Sequence, residues 1–532
     1  MAMMTNAALK YKDIISKSYE IHKGSPTLYQ LIPKKENIGT LKRMSLGVKN
    51  PKRANKTILL VGETGTGKST MINTLVNFAM GVKWEDDVWF QIVEDEKKEQ
   101  SQSQTSDVIV YKIFGLEENT LPYSLTIIDT PGYGDTGGIE HDEIVRQRLF
   151  DLFRSEDGVH EIDAVGLVLK AGENRLSDRL SYIFNSVVSL FGKDLEHNIV
   201  ALITHSPGGT PKNALEALNA ANIKCARNNK NQPVHFLFNN CQIEARTEDV
   251  DDLQHAYNKA MKGMEQFTEF LQKTAPQKLE TTVHVLNERI GLTACVQNLQ
   301  ERVQSVKIKQ NEIQQTQLGL KKYQEAMKSF EGFTMEVDQP YKVKEKVKSG
   351  KWGVIFFEGA VTCKVCEENC HFPGCTVARS PSGCEIMKGG RCTSCTNRCP
   401  VADHVKENWR YVTKTRSVKI TLQDVKYNYE KNKAQTKMKM NILESLEKEM
   451  ENLEIRKTQF LYESYEHVVK LEKIALNVAS VSTYVHLDFL IEEMEKKSDP
   501  GKVQKLKEMS SRKDKGVLAG VQYLYRAFLE SK

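Results

Sequence analysis

The strongest constraint on the fold is a glycine-rich loop, Gly62-Glu63-Thr64-Gly65-Thr66-Gly67-Lys68-Ser69-Thr70. The apolar run at residues 57–61 predicts a buried strand before the loop, and a helix is expected from about Ser69 to Met80. This order of strand, G-x-x-x-x-G-K-S and helix is the Walker A pattern, whose glycines turn backbone N–H groups toward phosphate oxygens. Lys68 then offers a positive charge to the β- and γ-phosphates, and Ser69 offers an oxygen to Mg²⁺. All nine residues are therefore candidate nucleotide contacts.

A second motif, Asp129-Thr130-Pro131-Gly132, ends the apolar strand at residues 125–129. In GTP-hydrolysing P-loop proteins the aspartate at this place holds Mg²⁺ and the glycine N–H meets the γ-phosphate. An ATPase Walker B motif more often has a second acidic residue directly after the aspartate, where this chain has Thr130. The pair of motifs predicts GTP and Mg²⁺ as ligands.

The polar segment 101–107 lies between the two motifs and is the candidate first switch. A hydroxyl there can close over Mg²⁺ when the γ-phosphate is present and release it after hydrolysis. Thr105 is the first choice and Ser103 the second, against the alternative of a solvated polar loop.

Hydrolysis by the isolated chain is expected to be slow. The residue after Gly132 is Tyr133, in place of the glutamine that orients the attacking water in Ras-like enzymes. Arg146 and Arg148 follow the motif, and either could act as an arginine finger in its own site or in that of a paired chain. A position on a solvated helix face is the favoured interpretation. The catalytic residues are therefore left open.

Further strands are predicted at residues 108–114, 164–171, 198–204 and 234–238, with a helix near 177–191. Strands and helices that alternate after a phosphate-binding loop predict a doubly wound α/β domain whose strand ends carry the ligand.

The chain resembles septin-related GTPases over about residues 55–245, and is similar to the immunity-associated and chloroplast outer-envelope import GTPases. Four motifs carry this resemblance: the loop at 62–70, Asp129-Thr130-Pro131-Gly132, Thr204-His205, and Phe238-Asn239-Asn240. It implies that His205 packs on or bonds the guanine base, that Asn239 or Asn240 meets the base, and that two G domains pair across the nucleotide as a homodimer. The segment after Thr204 lacks the aspartate with which ordinary GTPases read guanine, so ATP or mixed use is the alternative.

The bulk composition describes a soluble protein of two to four domains. The chain has 532 residues, of which 40% are apolar and 27% charged, with a net charge of +6. This small net charge gives no general reason to expect nucleic-acid or membrane binding. We find no apolar run long enough to span a bilayer and no signal-peptide core, so a cytoplasmic location is expected.

Eight of the eleven cysteines fall between residues 363 and 399. With two histidines they give ten candidate ligands: Cys363, Cys366, Cys370, His371, Cys375, Cys384, Cys392, Cys395, Cys399 and His404. The short C-x2-C steps let two thiolates reach one tetrahedral ion, and few long apolar residues are present to form a core without metal. We expect two structural Zn²⁺ ions with two residues spare. Disulfides or another metal are the alternatives, and the ligand pairing is open, with His371 and Cys384 the least certain members.

Extended segments flank this module at residues 341–348 and 409–420. Lys342, Lys344, Lys346 and Lys348 alternate along the first segment and should lie on one face. Such a row could bind phosphate or an acidic partner, but a charged edge that prevents strand pairing is the favoured interpretation.

Two helical arms bracket the module. Apolar and glutamine positions step by four and three in the first arm: Leu292, Val296, Leu299, Val303, Val306, Gln310, Ile313, Gln317, Leu320, Gln324 and Met327. A second stripe runs through Leu443, Leu446, Met450, Leu453 and Phe460, interrupted by Lys457. The spacing indicates coiled-coil helices. An antiparallel intramolecular hairpin with the zinc module at its tip is favoured over an intermolecular coiled coil.

The sequence predicts five regions: an N-terminal extension and linker (1–54), the P-loop GTPase domain (55–260), arm 1 (261–338), strands with the zinc module (339–420), and arm 2 with C-terminal helices (421–532). The expected function is a GTP-binding assembly switch with slow or dimerisation-dependent hydrolysis, whose arm or zinc module binds an unknown protein. The alternative is a constitutive adaptor with a nucleotide, GTP or ATP, that is never hydrolysed. Zinc-finger binding of nucleic acid is not favoured, because residues 363–404 lack a concentrated aromatic and arginine surface.

Overall fold

The structure, a computed structural model, describes residues 10–38, 41–94, 108–114, 121–131, 145, 148–173, 178–246, 249–326, 334–347, 359–375, 380–421, 442–477 and 481–511. The chain divides into two units. The first consists of residues 1–286, 472–485 and 507–532, and the second of residues 287–471 and 486–506.

The first unit opens with elements in the segment where a linker is expected. They are α1 (Lys12–Ile15), β1 (Tyr19–His22), β2 (Thr27–Gln30), β3 (Lys34–Ile38) and β4 (Leu41–Leu46). β3 and β4 pair antiparallel, and β4 continues the main sheet by pairing with residues 109–113. The structure therefore differs from the expectation for residues 1–54. The lysines of β3 and β4 obscure these strands in the sequence, whereas Leu41 and Met44 are buried beneath them.

The elements that follow form the α/β core. They are β5 (Asn55–Gly62), α2 (Lys68–Met80), β6 (Val88–Gln91), β7 (Ile109–Ile113), β8 (Ser124–Asp129), β9 (Glu161–Ile162), β10 (Ala164–Lys170), α3 (Asp178–Val188), β11 (Ile199–Thr204), α4 (Lys212–Ala220), β12 (His235–Leu237), α5 (Val250–Lys273) and β13 (Gln277–Lys278). The main sheet has the order β12-β11-β10-β5-β8-β7-β4-β3. The strands from β12 to β8 are parallel, and β7 is antiparallel to β8. The predicted doubly wound α/β domain is confirmed.

The middle of this sheet is buried on both faces, as parallel strands covered by helices require. Ile58, Leu59, Leu60 and Val61 of β5 are fully buried, as is the whole of β8. On α2, the Asn77 amide accepts a hydrogen bond from the Phe90 N–H (3.0 Å) and donates one to the Phe90 carbonyl (2.6 Å). These two bonds fix the helix that follows the glycine-rich loop to β6.

The G domain extends beyond its expected boundary at residue 260. α5 ends at Lys273 within the first unit, and its Gly263 lies so close to β12 that a Cβ would be 2.2 Å from the Leu237 carbonyl oxygen. β13 then pairs with β9. Residues 261–278, expected in arm 1, thus belong to the α/β unit.

The second unit combines long helices with short strands. Its elements are α6 (Glu280–Ala326), β14 (Thr334–Lys346), β15 (Gly359–Cys363), β16 (Glu368–Cys375), β17 (Met387–Lys388), β18 (Arg391–Cys392), β19 (His404–Glu407), β20 (Trp409–Thr421), α7 (Ile442–Ile474), α8 (Val481–Glu495) and α9 (Pro500–Ser511). The helices α6 to α9 belong to this unit only within residues 287–471 and 486–506. β15 pairs with β16 on one side and β19 on the other, and β17 pairs with β18. These short sheets form the cysteine-rich module.

Within this unit α6 and α7 run antiparallel. The Lys309 ammonium lies 2.8 Å from the Glu449 carboxylate, and at the other end of the pair the Glu288 carboxylate lies 2.7 Å from the His467 ring nitrogen. Contact positions that rise along one helix while they fall along the other define a hairpin. The structure thus has the intramolecular arrangement that the sequence favoured.

The module lies along the side of this hairpin rather than at its tip. β14 and β20 pair over thirteen residues each and form a ribbon that returns along α6. The Asp338 N–H donates to Gln315 (3.1 Å) near the start of the ribbon, and the Lys342 ammonium lies 2.6 Å from Glu301 farther along it. The ribbon therefore carries the module back to the first part of α6, and the expected tip position is wrong.

The buried face of α6 includes five members of the predicted stripe, Leu292, Val296, Leu299, Val306 and Ile313, and differs from it at the glutamines. Its positions step by four and three through Cys295, Leu299, Arg302, Val306, Lys309, Ile313 and Thr316. Gln310 and Gln317, expected in the stripe, are exposed, and Gln324 lies where no side chain is described. Arg302 pairs with Glu368 of β16, and Lys309 lies 2.8 Å from Glu449 of α7 as well as 2.7 Å from Glu312 of its own helix. Carboxylates on other elements thus accompany both cations on the inner face.

The row of lysines on β14 makes contacts within its own unit. Lys342 contacts Glu301, and the Lys344 ammonium lies 4.2 Å from the centre of the Trp409 ring on β20. Lys348 lies outside the described residues. These contacts account for two of the four lysines without an external partner.

Candidate nucleotide site and metal centres

The glycine-rich loop has the backbone geometry of a phosphate cradle. Gly65 and Gly67 have φ values of +79° and +91°, a left-handed conformation that favours glycine. At Gly62 a Cβ atom would lie 2.5 Å from the Val168 carbonyl oxygen of β10. The loop therefore requires glycine at three positions, two for backbone conformation and one for close packing, and α2 begins directly after it at Lys68.

Lys68 folds back over the loop. Its ammonium donates to the carbonyl oxygens of Gly62 (2.7 Å) and Glu63 (3.1 Å), and the residue is 8% exposed. The charge is thereby held beside the N-terminal end of α2, where backbone N–H groups and the helix dipole favour an anion. Among the described residues, the buried Thr64 hydroxyl has no hydrogen-bond partner, which leaves it available to a ligand.

Asp129 lies at the end of β8, fully buried, and pairs in register with Leu60 of β5. The Thr130 hydroxyl donates to the Leu60 carbonyl (2.9 Å) and fixes the chain as it leaves the strand. The carboxylate consequently comes out of the sheet beside the strand that leads into the glycine-rich loop. Ser69 and Thr70, in the first turn of α2, are partly exposed.

Several predicted residues lie outside the described part of the chain: Ser103, Thr105, Gly132, Tyr133 and Arg146. Arg148 is described and is only 2% exposed. The expectation of a solvated face is therefore wrong for Arg148. Its helical segment also carries Leu149, Phe150 and Leu152 into the core, so this face of the segment is buried.

The end of β11 connects the phosphate side of the site to the predicted base side. The Thr204 hydroxyl lies 2.8 Å from the Thr66 carbonyl oxygen and 3.3 Å from the Leu169 carbonyl oxygen. His205 follows with φ of +51°, an uncommon value for a residue other than glycine, and its Nδ1 lies 3.1 Å from the Thr204 hydroxyl. Partial burial, assisted by Lys170, holds the pKa of His205 below its ordinary value, so the ring is neutral at pH 7.

Asn240 lies after β12, on the same edge of the sheet. Within the described structure, both polar atoms of its buried amide lack a hydrogen-bond partner. An unsatisfied buried amide is costly unless a ligand completes its bonds, so Asn240 fits the role of a base contact. Asn239 is already engaged, since its side-chain oxygen lies 3.4 Å from the Cys241 sulfur.

Gln242 is a candidate that the sequence did not indicate. It is 4% exposed, and neither polar atom of its amide has a partner among the described residues. Its position two residues after Asn240 places it in the same segment. No sequence signal distinguishes it from an ordinary loop glutamine, because only burial shows that the amide is unsatisfied.

Two groups of four predicted ligands converge in the cysteine-rich module. The first consists of Cys363, Cys366, Cys395 and Cys399, and the second of Cys370, Cys392, Cys395 and His404. Within each group the donor atoms lie within 4.8 Å of one another. The Cys366 and Cys399 sulfurs are 3.7 Å apart, and a tetrahedral zinc ion with bonds of about 2.3 Å separates two sulfurs by roughly 3.8 Å. The spacing fits zinc, and Cys395 belongs to both groups.

Backbone N–H groups point at three of these sulfurs. The Cys366 N–H lies 3.4 Å from the Cys363 sulfur, the Cys395 N–H 3.3 Å from Cys392, and the Cys399 N–H 3.2 Å from Cys395. Such donors stabilise a thiolate. Burial still raises the pKa of Cys363 to about 12, so the loop donors alone do not make that group a thiolate at neutral pH.

A third group comprises His371, Cys384 and Glu385, all buried. The histidine Nδ1 lies 3.1 Å from the Cys384 sulfur and 3.2 Å from the Glu385 carboxylate. Glu385 was not among the predicted ligands, since a glutamate adjacent to a cysteine has no distinctive spacing. Cys375, the remaining predicted ligand, ends β16, and its side chain is outside the described residues.

Among the helices of the described residues, none combines the length and the apolar character that a membrane span needs.

Comparison with known proteins places the septin likeness on the region around the glycine-rich loop. The septin family model matches residues 52–144. Septin-8-A of Danio rerio is 37% identical and Septin-8-A of Xenopus laevis 36% identical, each over 78 residues. These matches cover 15% of this chain, and the chain spans about 15% of the length of each relative.

Solved structures also show a likeness at low identity. Toc33 of Arabidopsis thaliana, in complex with GDP and Mg²⁺, is 15% identical with a TM-score of 0.30, over 42% of this chain and 88% of that one. The same protein in complex with Mg²⁺ and GMPPNP gives 16% identity and a TM-score of 0.29, over 42% of this chain and 88% of that one. The predicted resemblance to septin-like P-loop GTPases is confirmed by the septin match at residues 52–144.

Proposed function

We propose that this protein binds GTP with Mg²⁺ and acts as a nucleotide-controlled assembly switch. The bond between Thr204 and the Thr66 carbonyl is the observation that carries the proposal. It ties the phosphate loop to the strand end that bears His205, which supports placing phosphate and base contacts in one pocket. A glycine-rich turn without a ligand would not require this link between two strand ends.

Different residues are proposed to bind different parts of the nucleotide. Backbone N–H groups of residues 63–68 and the Lys68 ammonium bind the phosphates, and Ser69 with Asp129 supplies oxygens for Mg²⁺. Thr105 and Gly132, predicted to sense the γ-phosphate, stay predictions. When bound, Mg²⁺ would neutralise negative charge on the phosphates.

The base lies between His205 and the segment after β12. A neutral imidazole can pack on a purine without bringing a charge into the pocket, and the Asn240 and Gln242 amides offer donors and acceptors to the base edge. Adenine can also bond an amide. The preference for guanine therefore rests on the Asp129-Thr130-Pro131-Gly132 motif and on the likeness to septins, and ATP is the alternative.

Hydrolysis is proposed to be slow in the isolated chain and to depend on pairing of two G domains. No glutamine follows Gly132, and Arg148 is buried, so it cannot enter the site of another subunit without leaving its own core. A group from the paired chain would then have to orient water. The nucleotide state would thereby be coupled to assembly.

The cysteine-rich module is proposed to bind two structural Zn²⁺ ions through the seven residues of its first two groups, with the Cys395 thiolate bridging the ions. Each ion then has four donors, as structural zinc sites require. Thiolate ligands need a reducing compartment, which supports the expected cytoplasmic location. The hairpin and ribbon that the module braces are the proposed surface for an unknown protein partner.

The test is turnover as a function of protein concentration. We expect GTP hydrolysis per chain to rise with concentration as dimers form, with a GTP analogue and Mg²⁺ shifting the chain toward dimer in gel filtration. Lys68→Ala should abolish both effects, while the exposed control Lys212→Ala should retain them. Bound nucleotide that is never hydrolysed, with an oligomeric state that Lys68→Ala leaves unchanged, would support the constitutive adaptor.

A further inference from the structure

His371, Cys384 and Glu385 converge on one point in the module. Three separations describe the triangle: 3.1 Å from the His371 Nδ1 to the Cys384 sulfur, 3.2 Å from the same nitrogen to the Glu385 Oε2, and 3.6 Å from the sulfur to that oxygen. A tetrahedral zinc ion with bonds of about 2.3 Å to sulfur and about 2.0 Å to nitrogen or oxygen separates such atoms by roughly 3.3–3.6 Å. The observed triangle has nearly the size of the ligand set of one ion.

A plain ion pair explains only part of this geometry. A protonated His371 facing Glu385 would account for the contact of 3.2 Å between nitrogen and oxygen. The Cys384 sulfur, however, also lies 3.1 Å from the same ring nitrogen, so one N–H would have to be shared between sulfur and carboxylate in a three-centre bond. A cation between the three atoms accounts for all three separations at once.

The burial and the donor atoms of these three side chains indicate which ion they would bind. The side chains of His371 and Glu385 are 5% and 3% exposed, so an ion held between them would be shielded from bulk water. Imidazole nitrogen, thiolate sulfur and carboxylate oxygen together form a donor set typical of Zn²⁺. We propose that His371, Cys384 and Glu385 bind a third Zn²⁺ ion, separate from the pair held by the other seven residues.

This third ion differs from the proposed pair in its surroundings. Glu385 also lines a cavity of about 560 Å³ in the second unit, and we expect water from this cavity to supply the fourth donor. A site with three protein donors and one thiolate binds zinc less tightly than a site with four donors rich in thiolate. The third ion should therefore leave first when a chelator is added.

The experiment counts zinc in the purified full-length chain by native mass spectrometry, confirmed by elemental analysis. We expect three ions per chain, one of which a mild chelator removes while the other two stay. Glu385→Gln keeps the shape of the side chain but removes its charge, and should lower the count from three to two. The exposed Glu407→Gln, on β19 of the same module, is the matched control and should retain three.

The outcomes separate this inference from the proposed zinc pair. A wild-type count of two overturns the third site alone, whereas a count of zero overturns the pair as well. A wild-type count of three that Glu385→Gln leaves unchanged also overturns the assignment. If the Glu385→Gln chain has an unfolded module and binds no ion, cobalt titration of the wild-type chain tests the third site instead. A third equivalent with weaker sulfur-to-cobalt absorption per ion than the first two supports the site, and saturation at two equivalents overturns it.

Discussion

The two units of this protein stabilise their interiors by different means. In the first, the strands around the glycine-rich loop bury aliphatic side chains, with Ile58 to Val61 fully inaccessible. In the second, many buried contacts between elements are ion pairs or clusters of cysteine side chains. Examples are Arg302 with Glu368, Lys457 with Glu493 (3.1 Å), and the cysteine groups. The apolar core is complete without a ligand, whereas the second interior depends on charge partners and, under the proposed zinc binding, on metal. The two units should therefore respond differently to the same perturbation.

Metal removal should give the largest difference. Structural zinc contributes about 10–16 kcal/mol of apparent binding free energy in small zinc domains, and residues 359–407 have little other core. We expect a strong chelator to abolish protection of amide hydrogens in the module, while β5, β8 and β10 keep theirs in hydrogen-exchange mass spectrometry. If amide protection fell equally in both units, or did not fall in the module, the proposed difference between the two interiors would be wrong.

Breaking the buried ion pair should have the next largest effect. Glu368 contacts Arg302 and also accepts a hydrogen bond from the Thr396 N–H (2.7 Å), so Glu368→Gln leaves Arg302 buried without its counter-charge. Loss of one partner of such a pair costs about 3–5 kcal/mol. Urea unfolding of the metal-replete chain, monitored in the second unit, measures this change. The neighbouring exposed Glu367→Gln is the control and should change stability by less than about 0.5 kcal/mol.

In the first unit, Asn240→Ala should change ligand binding more than folding. The amide has no partner within the described structure, so its removal costs the fold little, but the base loses hydrogen bonds worth about 1–3 kcal/mol. We expect weaker GTP binding with an unchanged melting temperature. Calorimetric titration with GTP and ATP measures both the loss and any change in base preference. Asn228→Ala, an exposed loop asparagine in the same unit, should bind as wild type does.

The smallest effect should come from the glutamines of α6. Gln310 is exposed, so Gln310→Ala should change the free energy of unfolding by less than about 0.5 kcal/mol. Ile313→Ala, three residues later on the buried face, should cost about 2–5 kcal/mol. If both substitutions lowered the free energy of unfolding by similar amounts, Gln310 would belong to the buried stripe, as the sequence predicted.

The α/β sheet could be predicted from the sequence because local signals specify it. The runs that end at Gly62, Asp129 and Thr204 are apolar, of strand length and followed by turn or ligand motifs, and each forms the expected strand. The strands at residues 34–46 were not predicted, since their lysines hide the apolar positions and their place in the sheet depends on pairing with β7.

The second unit shows where local pattern fails. The heptad spacing of α6 predicted the helix and the burial of Leu299, Val306 and Ile313. It did not predict the burial of Arg302 and Lys309, because their carboxylate partners on other elements lie far away in the sequence. The position of the module likewise depends on the returning ribbon. Two candidate residues belong to no sequence motif: Gln242, near the candidate nucleotide site, and Glu385, in the cysteine-rich module. Only their burial in the structure identifies them.

The most direct test of the account is a calorimetric titration of the full-length, metal-replete chain with GTP and with ATP in the presence of Mg²⁺. Removing Lys68 costs at least one charged hydrogen bond of about 1.5–3 kcal/mol, or roughly a tenfold to hundredfold loss of affinity. The account predicts binding of GTP in preference to ATP, and that loss in Lys68→Ala. A folded chain with no affinity for either nucleotide would contradict it.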